Sequence, residues 1–384
     1  MSRKKFWSKI HAKMWFFEKM GAGGEAFYAI RGVSGECGKA GRGAEKTGGE
    51  GRDVGEMGES DMQRSRTMAD AKKLKVGVVG VGSLGQWHAR IYSEMDDVEL
   101  VGVFDPDKKR AAEIAERYGT KGYASLEALA DDTEALNIVV PTDKHRAVAG
   151  KLLEKKKHLL VEKPIAATTE DAEELVRLAR ENDVILQVGH VERFNPVLSW
   201  VNPAKQHPVY IEALRIAPYP PPRFGLLPRG TEVSVVLDLM IHDLEVILHL
   251  VQSKVVEIHA VGVPILSKTE DLANVRLRFE NGCVANVSAS RLSTEKQRKI
   301  RMFLPDAYVS LDYQNQTGKV LRKKLLGIEQ KEIPIHKGEP LALELRSFVD
   351  CVKNHKEPVV SGAHAAEALK LAVDICQCIR RGRS

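Results

Sequence analysis

The chain has 384 residues, 43% hydrophobic and 29% charged, with a formal net charge of +6. That length suits two domains at the usual ~100–200 residues each, and no run approaches the ~18–20 apolar residues of a membrane span. The charge is uneven: residues 1–67 hold 13 Lys and Arg against 9 Asp and Glu, and the body is near neutral. A phosphate-tracking nucleic-acid surface is therefore not indicated.

Residues 1–70 differ from the rest. They hold 13 of the chain's 31 glycines, and such a composition buries no core. This stretch is expected to be a disordered extension, or sequence ahead of a natural start at Met62 or Met68. Phe6, Trp7, Ile10, Met14 and Trp15 alternate with lysines and suit a short amphipathic surface helix. The five cysteines, Cys37, Cys283, Cys351, Cys376 and Cys378, form no disulfide or zinc pattern, which fits a cytoplasmic location.

From Leu74 a strand through Val79 meets Gly80-Val81-Gly82-Ser83-Leu84-Gly85, then a helical run from Gln86 to Met95. A second strand, Val98–Phe104, ends at Asp105. Strand, GxGxxG, helix and an acid ~20 residues on is the context of a dinucleotide-binding turn. Gly80 permits the turn, Gly82 lets backbone approach a pyrophosphate, and Gly85 lets the helix pack closely. Asp105 suits ribose hydroxyls and repels a 2′-phosphate, so NAD is preferred over NADP. Lys108, Lys109 and Arg110 follow closely and soften that preference.

Helices are predicted at 108–118, 126–131, 145–156 and, capped by Thr169, 170–181. Strands are predicted at 136–140, 159–161 and 184–188. This alternation predicts an α/β doubly wound parallel sheet over residues 71–193. Asp105, Thr142, Lys163 and His190 all sit at strand carboxyl ends, where such sheets bind ligands. Residues 194–384 change rhythm. Asn195-Pro196 starts a helix, strands are predicted at 209–216, 255–263, 275–279, 284–290 and 300–304, and Asn281-Gly282 marks a hairpin. Two helices, about 341–354 and 363–380, close an α+β domain with an open mixed or antiparallel sheet.

Within 236–245, helical spacing puts Asp238 and His242 four apart on one face, where the carboxylate would raise and orient the imidazole as a general base. Taken alone, the stripe Asp238, His242, Glu245 and His249 reads more readily as a solvated face, and its spacing matches no zinc ligand set. Lys163 alone is equally a solvated strand end, and in a cofactor crevice it would hold a substrate oxygen. The proline-rich run Tyr219–Phe224 with Arg229 is either a rigid spacer or, through Arg223, a diphosphate contact.

Taken together, Gly80-x-Gly82-x-x-Gly85 with His88, Pro141-Thr142 with His145, Glu162-Lys163-Pro164, Gly189-His190 with Arg193-Phe194, and Asp238-x-x-x-His242-Asp243 resemble the Gfo/Idh/MocA oxidoreductases over residues 74–384. The resemblance implies hydride transfer to NAD, with Lys163 and His242 catalytic and Asp238 assisting. It implies a cofactor site of Gly80, Gly82, Ser83, Leu84, Gly85, Asp105, Pro141, Thr142, His145, Glu162 and Lys163, and no metal. Substrate contacts are expected from Lys163, Arg193, Asn195, Arg223 and His242. A homodimer or homotetramer through the second sheet is also implied. The string 188–196 with 238–243 is most similar to bacterial members that oxidise the 3-hydroxyl of UDP-N-acetylglucosamine. Inositol or simple aldose oxidation, or an NAD(H)-binding regulator without turnover, are the alternatives.

Overall fold

The computed structural model describes residues 72–222, 228, 230–325 and 327–382. The readings made for residues 1–70, Arg223 and Arg229 lie outside these.

The first sheet is built from short aliphatic segments: β1 (Leu74–Val79), β2 (Val98–Phe104), β3 (Lys121–Gly122), β4 (Ala135–Ile138), β5 (His158–Glu162) and β6 (Leu186–Gly189). Their order is β3-β2-β1-β4-β5-β6 and every pairing is parallel. Val76, Val78, Leu136, Ile138, Leu160 and Val161 are fully buried, because helices cover both faces of a doubly wound sheet. Each such side chain contributes about 1.5–3 kcal/mol by leaving water.

The covering helices are α1 (Gly85–Ser93), α2 (Lys108–Arg117), α3 (Leu126–Asp132), α4 (Thr142–Glu154) and α5 (Thr169–Glu181). Asp107 and Ser125 cap α2 and α3 through backbone N–H groups two or three residues on. Thr168, rather than the expected Thr169, caps α5 by accepting from the Asp171 N–H. Helix α4 starts at Thr142, three residues earlier than the periodicity predicts, with Pro141 in extended conformation at its N-cap.

The second sheet is mixed. Its strands are β7 (Tyr210–Ile216), β8 (Val255–Val263), β9 (Leu272–Phe279), β10 (Val284–Ser290), β11 (Gln297–Phe303), β12 (Ala307–Asp312), β13 (Thr317–Lys324) and β14 (Gly327–Glu332). They run β14-β13-β12-β11-β7-β10-β9-β8, with β7 and β10 parallel and the other pairings antiparallel. In β9, Ala273, Val275, Leu277 and Phe279 point inward while Asn274, Arg276 and Arg278 stay outside. Gly282, at φ +88°, makes the β9–β10 turn. The sequence reading did not contain β12–β14. Strand β14 reads Gly-Ile-Glu-Gln-Lys-Glu at the sheet edge, polar on both faces, so it lacks the alternation that marks a half-buried strand.

A π turn, Val236–Met240, leads into α6 (Ile241–Val251), and α7 (Pro340–Asn354) and α8 (Gly362–Arg381) complete the chain. Helix α7 crosses the expected 193/194 division. Its Leu345, Phe348 and Val349 are buried in one cluster with Val76, Val78 and Tyr92 of the first sheet layer. No helix among the described residues is long and apolar enough to cross a membrane.

Candidate active site

The glycine turn has the geometry a dinucleotide requires. Gly80 has φ +85°, and a Cβ there would come within 2.5 Å of the Val139 carbonyl. A Cβ on Gly85 would overlap the carbonyl oxygen of Gly80, so α1 approaches β1 as closely as backbone allows. Gly82 faces open space instead. Helix α1 has no side-chain cap and no acid in its first turn, which leaves its positive end available to a phosphate. Asp105 Oδ2 accepts the Val81 N–H at 2.9 Å and Oδ1 accepts the Asp107 N–H at 2.9 Å. The carboxylate is thus tied to the turn, and each oxygen keeps a second lone pair for a ribose hydroxyl. Arg110 is held by the Val81 carbonyl at 2.8 Å and by Glu113. These residues fit a nicotinamide dinucleotide.

A polar chain under the sheet fixes the next element. Tyr92 donates to Asn137 Oδ1 at 2.8 Å, so the Asn137 amide donates to His88 Nδ1 at 2.8 Å. His88 Nε2 then carries the proton that points at Glu162 Oε1, 3.2 Å away. Burial pushes the Glu162 carboxyl up, but the His88 contact and the Lys163 ammonium outweigh it and hold it below its usual range. His145, expected to touch cofactor, is buried and acts as a brace. Its ring nitrogens lie 2.9 Å from the carbonyls of Val140 and Pro164 and tie the β4 end to the loop after Lys163.

Lys163 reaches into the second half. Its ammonium donates to the Asp238 carbonyl at 2.6 Å and lies 3.4 Å from Asp238 Oδ1. This corrects the expected Asp238–His242 pair: the carboxylate belongs to Lys163. The cause is the π turn, whose five-residue hydrogen-bond spacing rotates residue 238 away from the face that a four-residue spacing assumes. The stripe is not a solvated face either, since Glu245 is 2% exposed.

His242 stands edge-on to His190, with ring centroids 6.1 Å apart. Its Nδ1 is buried without a hydrogen-bond partner among the described residues. The imidazole pKa is held well below its ordinary value by burial first, then by Lys163, Arg215 and Arg298. Burial and Lys163 push His190 down to about 3. Both rings are therefore neutral near pH 7.

Behind His242 lies an ionic cluster that the sequence reading missed. Arg215 is bidentate to Asp243 at 2.7 and 2.9 Å and donates to Glu192 at 2.8 Å, and Arg298 donates to the same Glu192 oxygen at 2.9 Å. Burial opposes the Arg215 charge, but Asp243 and Glu192 outweigh it and raise its pKa. The strand alternation was the available signal: Arg215 shares the inward face of β7 with Ile211 and Ala213.

Arg193 donates to Glu245 at 2.7 Å. Asn195 donates to Glu192 and to the Tyr313 carbonyl and caps Val197. Both brace the framework, and both line a cavity of about 550 Å³.

The glycine turn, the carboxylate at the end of β2 and a lysine meeting a histidine-bearing helix define a nicotinamide-dependent oxidoreductase. Residues 74–190 match the oxidoreductase family described as an NAD-binding Rossmann fold, and residues 209–307 match the GFO/IDH/MocA C-terminal domain. The chain is 33% identical over 309 residues to a UDP-N-acetylglucosamine 3-dehydrogenase of Acidithiobacillus ferrooxidans, covering 79% of this chain and 96% of that protein. The solved structure of that dehydrogenase superposes with a TM-score of 0.75, covering 80% of this chain and 98% of the other. A scyllo-inositol 2-dehydrogenase (NAD(+)) of Bacillus subtilis is 27% identical over 335 residues, 81% of this chain and 95% of that protein. The protein belongs to the Gfo/Idh/MocA family of oxidoreductases.

Proposed function

We propose that the protein uses NAD to oxidise a secondary hydroxyl of a nucleotide sugar, first the 3-hydroxyl of UDP-N-acetylglucosamine. The resulting keto sugar would feed amino-sugar synthesis for lipid A or surface polysaccharide. The observation that carries this reading is the meeting of Lys163, at the end of β5, with the turn that presents His242. Similarity to a UDP-N-acetylglucosamine 3-dehydrogenase supports the substrate, and Asp105 supports NAD over NADP.

Bound nicotinamide supplies the hydride acceptor. The chain's own residues handle the proton and the oxygen. His242, neutral because burial and three cations disfavour its charge, accepts the hydroxyl proton at Nε2, since Nδ1 faces the interior. The Lys163 ammonium, anchored on the Asp238 carbonyl, directs a remaining N–H at the substrate oxygen and stabilises the charge that develops there. Asp238 positions that ammonium. We also propose a cytoplasmic homodimer or homotetramer, joined through the second sheet.

The test mixes the protein with NAD and UDP-N-acetylglucosamine and follows reduced-nicotinamide absorbance, with a 2-oxo acid added in one arm to reoxidise retained cofactor. Reduction with the nucleotide sugar is expected. Similarity to an inositol dehydrogenase favours a second reading, so myo- and scyllo-inositol run in parallel. Reduction with those alone transfers the assignment to a cyclitol, and no reduction with any hydroxyl compound leaves an NAD(H)-binding protein without turnover.

A further inference from the structure

Among the described residues, six bury polar side-chain atoms without a hydrogen-bond partner. They are Gln187, His190, His242, Glu245, Tyr313 and Glu344. Burying polar atoms without partners is costly unless water bridges them. Glu245 lies one turn beyond His242 on α6, and residues three apart share a face. Its Oε1 accepts Arg193 at 2.7 Å, but its Oε2 is buried and unpartnered. A carboxylate serving only as counter-ion to a guanidinium would normally engage both oxygens. Glu245 also lines a cavity of about 200 Å³ shared with Gln252, His249, His364 and Glu367.

We propose that the proton collected by His242 leaves inward, through bridging water, to Glu245 Oε2 and then through this cavity to solvent. The inference rests on His242 being the base of the proposed reaction. The substrate O–H bond breaks and its proton joins Nε2; the proton on Nδ1 passes to water, and water passes one to Oε2. The carboxyl releases its proton to the cavity. The hydride leaves separately to the bound nicotinamide, so one alcohol yields one ketone, one hydride and one proton. In the reverse half-reaction a keto acceptor takes the Nε2 proton and Nδ1 is reprotonated along the same path, so the tautomer is restored and the full cycle moves one proton out through Glu245 and one back.

The electrostatics favour prompt release of that proton. An imidazolium at His242 is disfavoured by its burial and by Lys163, Arg215 and Arg298. Burial lifts Glu245 to about 7 against the pull of Arg193, which suits a group that takes and gives protons near neutrality. The groups facing Glu245 are Arg193, His249, Tyr313, Glu344, His364 and Glu367. Burial pushes the Glu344 carboxyl well above its usual range.

Two experiments test this. On the unliganded protein, carboxyl carbon NMR with labelled glutamate identifies Glu245 by the signal that Glu245→Gln removes. A midpoint near neutrality that moves in His242→Gln is expected. A midpoint in the ordinary glutamate range, unmoved by that substitution, overturns the proposal. No substrate is present, so the outcome is independent of the sugar assignment. In turnover with NAD and UDP-N-acetylglucosamine, Glu245→Gln is expected to lower kcat about tenfold or more, leave KM within about twofold and enlarge the solvent isotope effect. Formate, small enough for the cavity, is expected to restore Glu245→Ala. A Glu245→Gln enzyme with wild-type kcat and isotope effect overturns the proposal. Should that variant unfold, Glu245→Asp provides both the assignment and the kinetic arm, with a smaller loss of kcat.

Discussion

The Lys163 ammonium donates to the main-chain carbonyl of Asp238 at 2.6 Å, a contact spanning 75 positions of the chain. A backbone oxygen in a π turn cannot swing away as a side chain can, so this bond fixes the lysine relative to the helix that carries His242. Lys163→Ala is expected to lower kcat by at least about 10²-fold, with NAD affinity by fluorescence titration nearly unchanged. A variant that turns over normally removes the lysine from the mechanism.

His242 must be unprotonated to accept a proton. Because burial and its cationic neighbours hold its pKa well below 6.5, the acid limb of kcat/KM is expected below that pH. Arg298→Met removes one of those cations, which raises the imidazole pKa and moves the limb to higher pH. A pH profile of the variant lying on or below that of the wild type contradicts this electrostatic account.

Gly82 and Gly85 are expected to separate binding from folding. Nothing lies near a Cβ on Gly82, so Gly82→Ala should keep stability within about 0.5 kcal/mol while weakening NAD about tenfold or more by crowding the pyrophosphate. Gly85→Ala meets the Gly80 carbonyl and should lower the melting temperature even without NAD. Calorimetry with and without cofactor distinguishes the two.

Arg215 is 2% exposed between Asp243 and Glu192. Arg215→Met leaves buried Asp243 without its counter-charge and Glu192 with Arg298 alone, and urea unfolding should show a loss of about 3–5 kcal/mol. A loss under about 1 kcal/mol would mean that Arg298 alone satisfies them.

Glu344 is fully buried, and burial raises its carboxyl well above the ordinary glutamate value of 4.5. The folded state then binds more protons than the unfolded one once pH exceeds 4.5, so this group's contribution is whole below that pH and lost as pH rises toward its folded value. Glu344→Gln cannot ionise and should gain stability over the wild type at pH 8, the gap closing toward pH 4.5. A pH-independent difference in denaturant midpoints would refute the assignment.

Local chemistry made much of the fold and part of the site legible. Leu74–Val79, the three glycines and Asp105 are close in sequence, and turn sterics and strand periodicity act within a few residues, so the cofactor half could be read directly. The order of motifs marked Lys163 and His242 through the family resemblance. Asp238 illustrates the limit. A four-residue spacing predicts contact with His242 only if the helix is α, and packing converts that turn to π. Arg193 and Asn195 look like substrate groups in sequence because both are polar beside a crevice motif, and only the fold shows that they also hold Glu245, Glu192 and the Tyr313 carbonyl.

By itself the sequence determined that a dinucleotide turn precedes a mixed-sheet half and that an ammonium, a carboxylate and an imidazole are available for chemistry. Tertiary structure alone decided which carboxylate pairs with which cation: Asp238 with Lys163, Asp243 and Glu192 with Arg215, Glu245 with Arg193. Those pairs join residues 23 to 75 positions apart. Charge pairing in a buried site depends on distance and desolvation in three dimensions, and no local pattern of the chain encodes either.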